Sequence, residues 1–246
     1  MALQEEFERS GQWLFRWRSY FPLVWLGLVF IAMGEYSYPG GEETLDHLWE
    51  VLCLSISFFG MLIRAYTIGQ TPKGTSGRNT SKQIAHSLNT TGAYSVVRNP
   101  LYLGNFFMGL GITLFAHLWW LVLLYLLIFW IYYERIIFAE ETFLRNKFGD
   151  QYLQWAEHTP VIVPNFRNYI KSELSFSFKN VLLREYNGFF AVIVCMFSLE
   201  VLGDWIVEQK LKFDTGWLIG VVAGFFIWIT LRFLKKRTKL LDVEGR

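Results

Sequence analysis

His86-Ser-Leu-Asn-Thr-Thr-Gly-Ala-Tyr-Ser-Val-Val-Arg-Asn-Pro-Leu-Tyr-Leu-Gly104 is a polar, glycine-punctuated stretch set between long apolar runs. Its Asn99-Pro100 pair reads as a loop entering a helix, because Asn caps the free N–H groups of a first turn and Pro suits the first helical position. A helix that starts there presents partial positive charge and unpaired N–H donors, and Arg98 adds a full charge beside them. The expectation is an anion site at the membrane surface. A plainer reading competes, in which Arg98 only anchors a span at the headgroups.

Around this stretch the chain is apolar in blocks: 53% of its 246 residues are hydrophobic and 19% aromatic, which marks an integral membrane protein. A formal charge of +2, with no basic stripe interleaved with aromatics, excludes nucleic acid as the expected partner. Cys53 and Cys195 both fall in apolar spans and read as packing residues, not as a disulfide or thiolate site. His47, His117 and His158 show no paired spacing, so no metal or haem ligation is expected. The first apolar run lacks a small-residue cleavage site and reads as an uncleaved span.

Taken outward, the pattern gives an amphipathic lead-in over residues 1–19, with Trp13, Phe15 and Trp17 expected to face lipid. Apolar spans follow at 20–36, 48–69, 101–116, 118–139, 188–207 and 216–234. Arg64, near the end of the second, reads first as a snorkelling anchor and second as a cavity residue. Residues 70–91 are rich in Thr, Ser, Gly and Asn and read as a loop, whereas 134–158 continues helically as a charged, amphipathic segment. His117 joins the third and fourth spans so tightly that they form a helical hairpin, with Gly104, Gly109 and Gly111 permitting close contact. The fold class expected is all-α, with about six transmembrane helices. Six spans put 21 Lys and Arg residues on one side and only Lys210 and Lys212 on the other. By the positive-inside rule the richer side, with both termini and the polar loop, is cytoplasmic.

Gly92-x-Tyr94 and Arg98-Asn-Pro-x-Tyr102-x-Gly104, followed by Glu140-Glu141-x-x-Leu144, Phe148-Gly149 and Tyr152, resemble the membrane methyltransferase superfamily of isoprenylcysteine carboxyl methyltransferases and phospholipid N-methyltransferases. The resemblance covers residues 48–165 as a core and leaves a C-terminal hairpin, 186–240, outside it. It implies S-adenosylmethionine bound at the cytoplasmic face and a lipid acceptor reaching it sideways from the bilayer. By motif position, His86, Gly92, Tyr94, Arg98, Pro100, Tyr102, Glu140 and Glu141 would form the cofactor pocket, and Arg98, Asn99 and Glu141 would stand at the reacting centre. Thr75-Ser-Gly-Arg-Asn-Thr80 further resembles bacterial members that methylate the 1-phosphate of lipid A, which implies a bacterial inner membrane.

The superfamily commonly has His where this chain has Asn99, and Asn does not titrate, so a base at this position is unavailable. Methylation of a phosphate or carboxylate oxygen needs none, because the oxyanion is already the nucleophile. Arginine suits a phosphate through its planar, permanently charged fork, and Arg78, Arg135 and Arg145 are the candidates for that contact. Arg145 also suits a helix-surface pair with Glu141, four residues earlier. The leading expectation is methyl transfer to a lipid A phosphate. Carboxyl methylation of prenylated cysteine or N-methylation of phosphatidylethanolamine is the alternative, followed by an NADPH-dependent sterol reductase and by a non-catalytic binder or transporter.

Overall fold

The computed structural model describes residues 2–72 and 83–243. Among them the regular structure is all helical: α1 (Leu3–Trp17), α2 (Phe21–Ala32), α3 (Glu43–Gly69), α4 (Ala93–Val96), α5 (Pro100–Phe115), α6 (Trp119–Phe148), α7 (Asp150–His158), α8 (Phe178–Glu208) and α9 (Thr215–Arg237). Each of the six predicted apolar runs is helical, but they are not six full spans. Among the described residues only α3, α6, α8 and α9 are long and apolar enough to cross a membrane, with a fifth if α1 and the α2 region, bent 76° from one another, count as one. Helix α5, at 16 residues, is shorter than the roughly 20 residues a crossing needs. Of the six expected spans, four to five therefore stand as candidates.

Helix α6 runs unbroken for 30 residues and thus merges the expected fourth span with most of the charged segment after it. Gly149, at φ 54, ends it, and α7 starts on the next residue. The predicted hairpin at His117 is present, with that residue at φ 55, yet α5 packs most closely on α3. There a Cβ on Gly60 would lie 2.4 Å from the Gly104 carbonyl oxygen and 2.6 Å from the Met108 nitrogen. Backbone cannot yield as a side chain can, so Gly60→Ala is expected to push α3 off α5 and destabilise the fold by about 1–3 kcal/mol. Thermal unfolding in detergent measures it, and an unchanged midpoint would show that the helices slide apart freely.

Helix α1 also differs from expectation. Trp13 and Trp17 face outward, but Phe15 is buried, because the opposite face of the helix lies on α6. The Arg135 guanidinium sits 3.4 Å above the Phe7 ring, and the Tyr132 hydroxyl donates to the Leu14 carbonyl.

The connector between α7 and α8 straps the polar loop. Backbone N–H groups of Gly92, Arg98 and Asn165 donate to the carbonyls of Ile170, Pro160 and Val96, and Ser177 donates to Gly69. The segment holding Arg98 is thus tied down on both sides. Helices alternate in direction, so the ends of α3 and α9 lie with the starts of α5 and α8 at one pole. Lys235 near the end of α9 donates to the Leu183 carbonyl there.

Candidate functional site

At that pole a cavity of about 850 Å³ opens between α2, α5, α6 and α8. Its size falls within the 300–1,000 Å³ range of small-molecule sites. Tyr94, Arg98, Asn99, Pro100 and Tyr102 line it from the loop and the first turn of α5, and Glu140 and Glu141 from α6. Two half-motifs about forty residues apart in sequence meet because α5 rises from the pole and α6 returns to it. Arg18, Arg64, Arg184 and Glu185 complete its polar end. Four arginines against three glutamates favour an anionic guest. Deeper in, the walls are apolar, with Trp25, Leu26, Met108, Ile112, Phe129 and Val192 among them.

Arg98 Nη1 donates to Glu141 Oε2 at 3.2 Å and lies 3.1 Å from Oε1 in poorer hydrogen-bond geometry. Glu140 Oε1 lies 3.6 Å from Arg18 Nη1. Asn99 precedes the helix, as expected, but does not cap it: its Nδ2 donates to the Val161 carbonyl at 3.2 Å. The first-turn N–H groups of α5 therefore have no help from that side chain. Burial first, then the charge of Glu140, pushes the Tyr94 phenol up to about 12. Burial and the Glu141 charge likewise raise Tyr152, so both phenols are donors at neutral pH.

Among the described residues six buried side-chain atoms lack a hydrogen bond of good geometry, and four belong to cavity residues: Gln83 Nε2, Arg98 Nε, Glu141 Oε1 and the Tyr152 hydroxyl, the last three close to one another at the Arg98–Glu141 pair. An unmet buried polar group costs on the order of 1–3 kcal/mol. Their concentration around one space, as two N–H donors, a hydroxyl and a carboxylate oxygen, suits a zwitterionic polar guest.

Other predicted residues stand away from this space. His86 is exposed and does not line it. Gly92 sits behind it at φ +62, where a Cβ would meet Gln70 Oε1 at 2.6 Å, so it shapes the loop. Arg135 is taken up against Phe7, and Arg145 is exposed near the end of α6. Neither of these two expected phosphate contacts lines the cavity. Arg78 and the 75–80 string lie outside the described residues.

Arg64, first read as a headgroup anchor, points inward. Its Nε and Nη2 donate to Glu185 Oε2 and Oε1, both at 2.8 Å, and its Nη1 donates to Asn105 Oδ1 at 2.6 Å. Asn105 in turn donates to the Tyr133 hydroxyl at 3.2 Å. Sequence reading missed Glu185 and Arg184 altogether, since α8 carries no motif. The one signal available was a pair of charges at the start of an apolar run.

The phospholipid methyltransferase family matches residues 50–151. A protein-S-isoprenylcysteine O-methyltransferase from Schizosaccharomyces pombe is 30% identical over 118 residues, 48% of this chain and 50% of that one. Its namesake from Tribolium castaneum is 26% identical over 54% of this chain and 47% of its own. Protein-S-isoprenylcysteine O-methyltransferase B of Arabidopsis thaliana is 28% identical over 52% and 64%. The chain spans about half the length of the first of these relatives. No solved structure matches. The relatives bear the carboxyl-methylating name that the sequence reading placed second, behind lipid A phosphate. Residues 50–151, which supply Arg64, Arg98, Glu140 and Glu141, are thus similar to the membrane methyltransferase superfamily of phospholipid and isoprenylcysteine methyltransferases.

Proposed function

We propose that this integral membrane protein is a methyltransferase that uses S-adenosylmethionine and an amphiphilic acceptor bearing an anionic oxygen. The observation that carries the reading is the cluster of incompletely satisfied donors and acceptors around Arg98 and Glu141, in one cavity with an apolar arm. A carboxylate of a prenylated cysteine is the leading acceptor, because the similar proteins carry that name. A lipid phosphate, lipid A included, is the second.

When bound, S-adenosylmethionine supplies a sulfonium methyl group, displaced with the electron pair returning to sulfur. The residues that would hold it are Arg98 and the uncapped first turn of α5 for its carboxylate, and Glu141 for its ammonium group. The Tyr94 and Tyr152 phenols, protonated at neutral pH, donate from the wall. Arg64, fixed by Glu185 and Asn105, lines the cavity with N–H groups to spare and would orient the acceptor anion. Asn99 neither titrates nor needs to, because such an oxygen attacks without losing a proton. Apolar walls of α2, α5 and α8 exclude water from the attacking group, and orientation of the pair supplies on the order of 7–11 kcal/mol. On the six-span count, the 21-to-2 charge asymmetry supports a cavity that faces the cytoplasm, within reach of a soluble cosubstrate.

The test uses detergent-purified protein, methyl-labelled S-adenosylmethionine and three acceptors: a farnesylated cysteine, phosphatidylethanolamine and lipid A. Transfer to the farnesylated cysteine as a base-labile ester is the expected result. Label on lipid A alone would put the phosphate reading first. No binding of S-adenosylmethionine, with NADPH bound instead, would replace the methyltransferase with a reductase.

A further inference from the structure

The opposite pole, where α3 begins and α8 ends, holds four carboxylates that the proposed chemistry does not use. Asp46 and Glu50 lie one turn apart on α3, Glu200 and Asp204 one turn apart on α8, and all four are buried. Two of them are satisfied locally. The Tyr36 hydroxyl donates to Asp46 at 2.5 Å, and the Tyr38 hydroxyl donates to Asp204 at 2.8 Å. Glu50 and Glu200 have no such tyrosine.

Glu50 is only 6% exposed, and its Oε1 has no hydrogen-bond partner. Its Oε2 accepts from Trp217 Nε1 at 3.0 Å, which fixes the carboxylate plane, and lies 3.5 Å from His47 Nδ1. One ligand atom each from His47, Glu50 and Glu200 lies within 4.8 Å of the others. Two ligands at about 2.1 Å from a tetrahedral metal are about 3.4 Å apart, close to the His47–Glu50 separation. Two neighbouring buried carboxylates repel strongly and are costly to keep charged without a shared proton or a compensating cation.

We propose that His47, Glu50 and Glu200 bind one divalent transition-metal ion, with zinc the best fit, which clamps the start of α3 to the end of α8. One imidazole and two carboxylates suit zinc, and they neutralise its charge. The His47 side chain is 49% exposed, so the ion enters from solvent and a fourth position stays open to water. Trp217 donates to the Glu50 oxygen that faces His47, and so fixes it, the supporting role that outer hydrogen bonds play at metal sites. Histidine spacing in sequence could not show this site, because one helix supplies two ligands and a distant helix the third.

The test is a zinc titration of untagged, chelator-stripped full-length protein in detergent, read by calorimetry and by metal content after dialysis. One zinc per chain is expected, with a raised unfolding midpoint. Affinity should fall at least about 10-fold in Glu200→Gln and in His47→Ala, while binding of S-adenosylmethionine at the far pole is unchanged. Less than stoichiometric uptake by wild type overturns the proposal whatever the variants do, as does wild-type affinity in both variants. Cobalt substitution of the wild type gives a second readout. Without the visible bands of a low-symmetry site in the cobalt-loaded protein, the clamp is not there. An equal rise in midpoint with magnesium or calcium instead of zinc likewise overturns it, since those ions take oxygen ligands alone.

Discussion

Arg98→Met is expected to weaken S-adenosylmethionine binding by about 100-fold while the protein stays folded. The substitution keeps the packing of the stem and removes the fork that meets Glu141 at 3.2 Å and leaves Nε unpartnered toward the cavity. A hydrogen bond to a charged group contributes about 1.5–3 kcal/mol, and the Glu141 carboxylate left behind would then repel the cofactor's own carboxylate. Together these amount to about 2.8 kcal/mol, or two decades in affinity. The loss of stability should be smaller, about 1 kcal/mol, because the two side chains keep 16% and 28% of their exposure and water screens them. Arg98→Lys should recover only part of the affinity, since a point charge lacks the fork. Calorimetry with the three proteins settles it. An Arg98→Met affinity within threefold of wild type would remove Arg98 from the cofactor site.

Arg64→Leu is expected to lower the unfolding midpoint by about 10 °C. It leaves Glu185 buried with neither of its two 2.8 Å bonds, and breaking a buried pair by removing one partner costs about 3–5 kcal/mol. For a chain of this size each kcal/mol shifts the midpoint by about 2–4 °C. The double variant Arg64→Leu/Glu185→Leu should regain most of that stability, because apolar pairs replace buried ion pairs with little loss. Methyl transfer should stay lost in the double variant while S-adenosylmethionine still binds. That split distinguishes an arginine that orients the acceptor from one that only joins α3 to α8. Full transfer by the double variant would assign Arg64 a structural role alone.

Much of the site's polar end was legible beforehand. Arg98, Pro100, Tyr102, Glu140 and Glu141 lie in two short motifs, and local chemistry ties the first to a helix start and the second to a helix end. The arginines were read less well. Arg135 and Arg145 share the motif-bearing helix with Glu141, but Arg135, six residues earlier, is about 240° around it and meets Phe7, and Arg145, on nearly the same face as Glu141, lies one turn further along and is exposed near the helix end. Arg64 has no motif around it, and its role depends on Glu185, 121 residues later. The assignment of Asn99 as a cap failed for a similar reason: the side chain makes no cap bond, and its amide donates instead to the Val161 carbonyl on the strap after α7.

The sequence by itself determined the membrane class, the positions of the apolar helices and the side of the chain on which charge collects. Each follows from composition and from periods of a few residues, which local physics reads directly. Only the tertiary structure decided how many helices are long enough to cross, which arginines share a space, and that α8 walls the cavity and faces the acids of α3. Those outcomes depend on which faces of distant helices pack together. The Gly60–Gly104 approach and the burial of Arg64 on Glu185 are made by pairs of residues that no local pattern links.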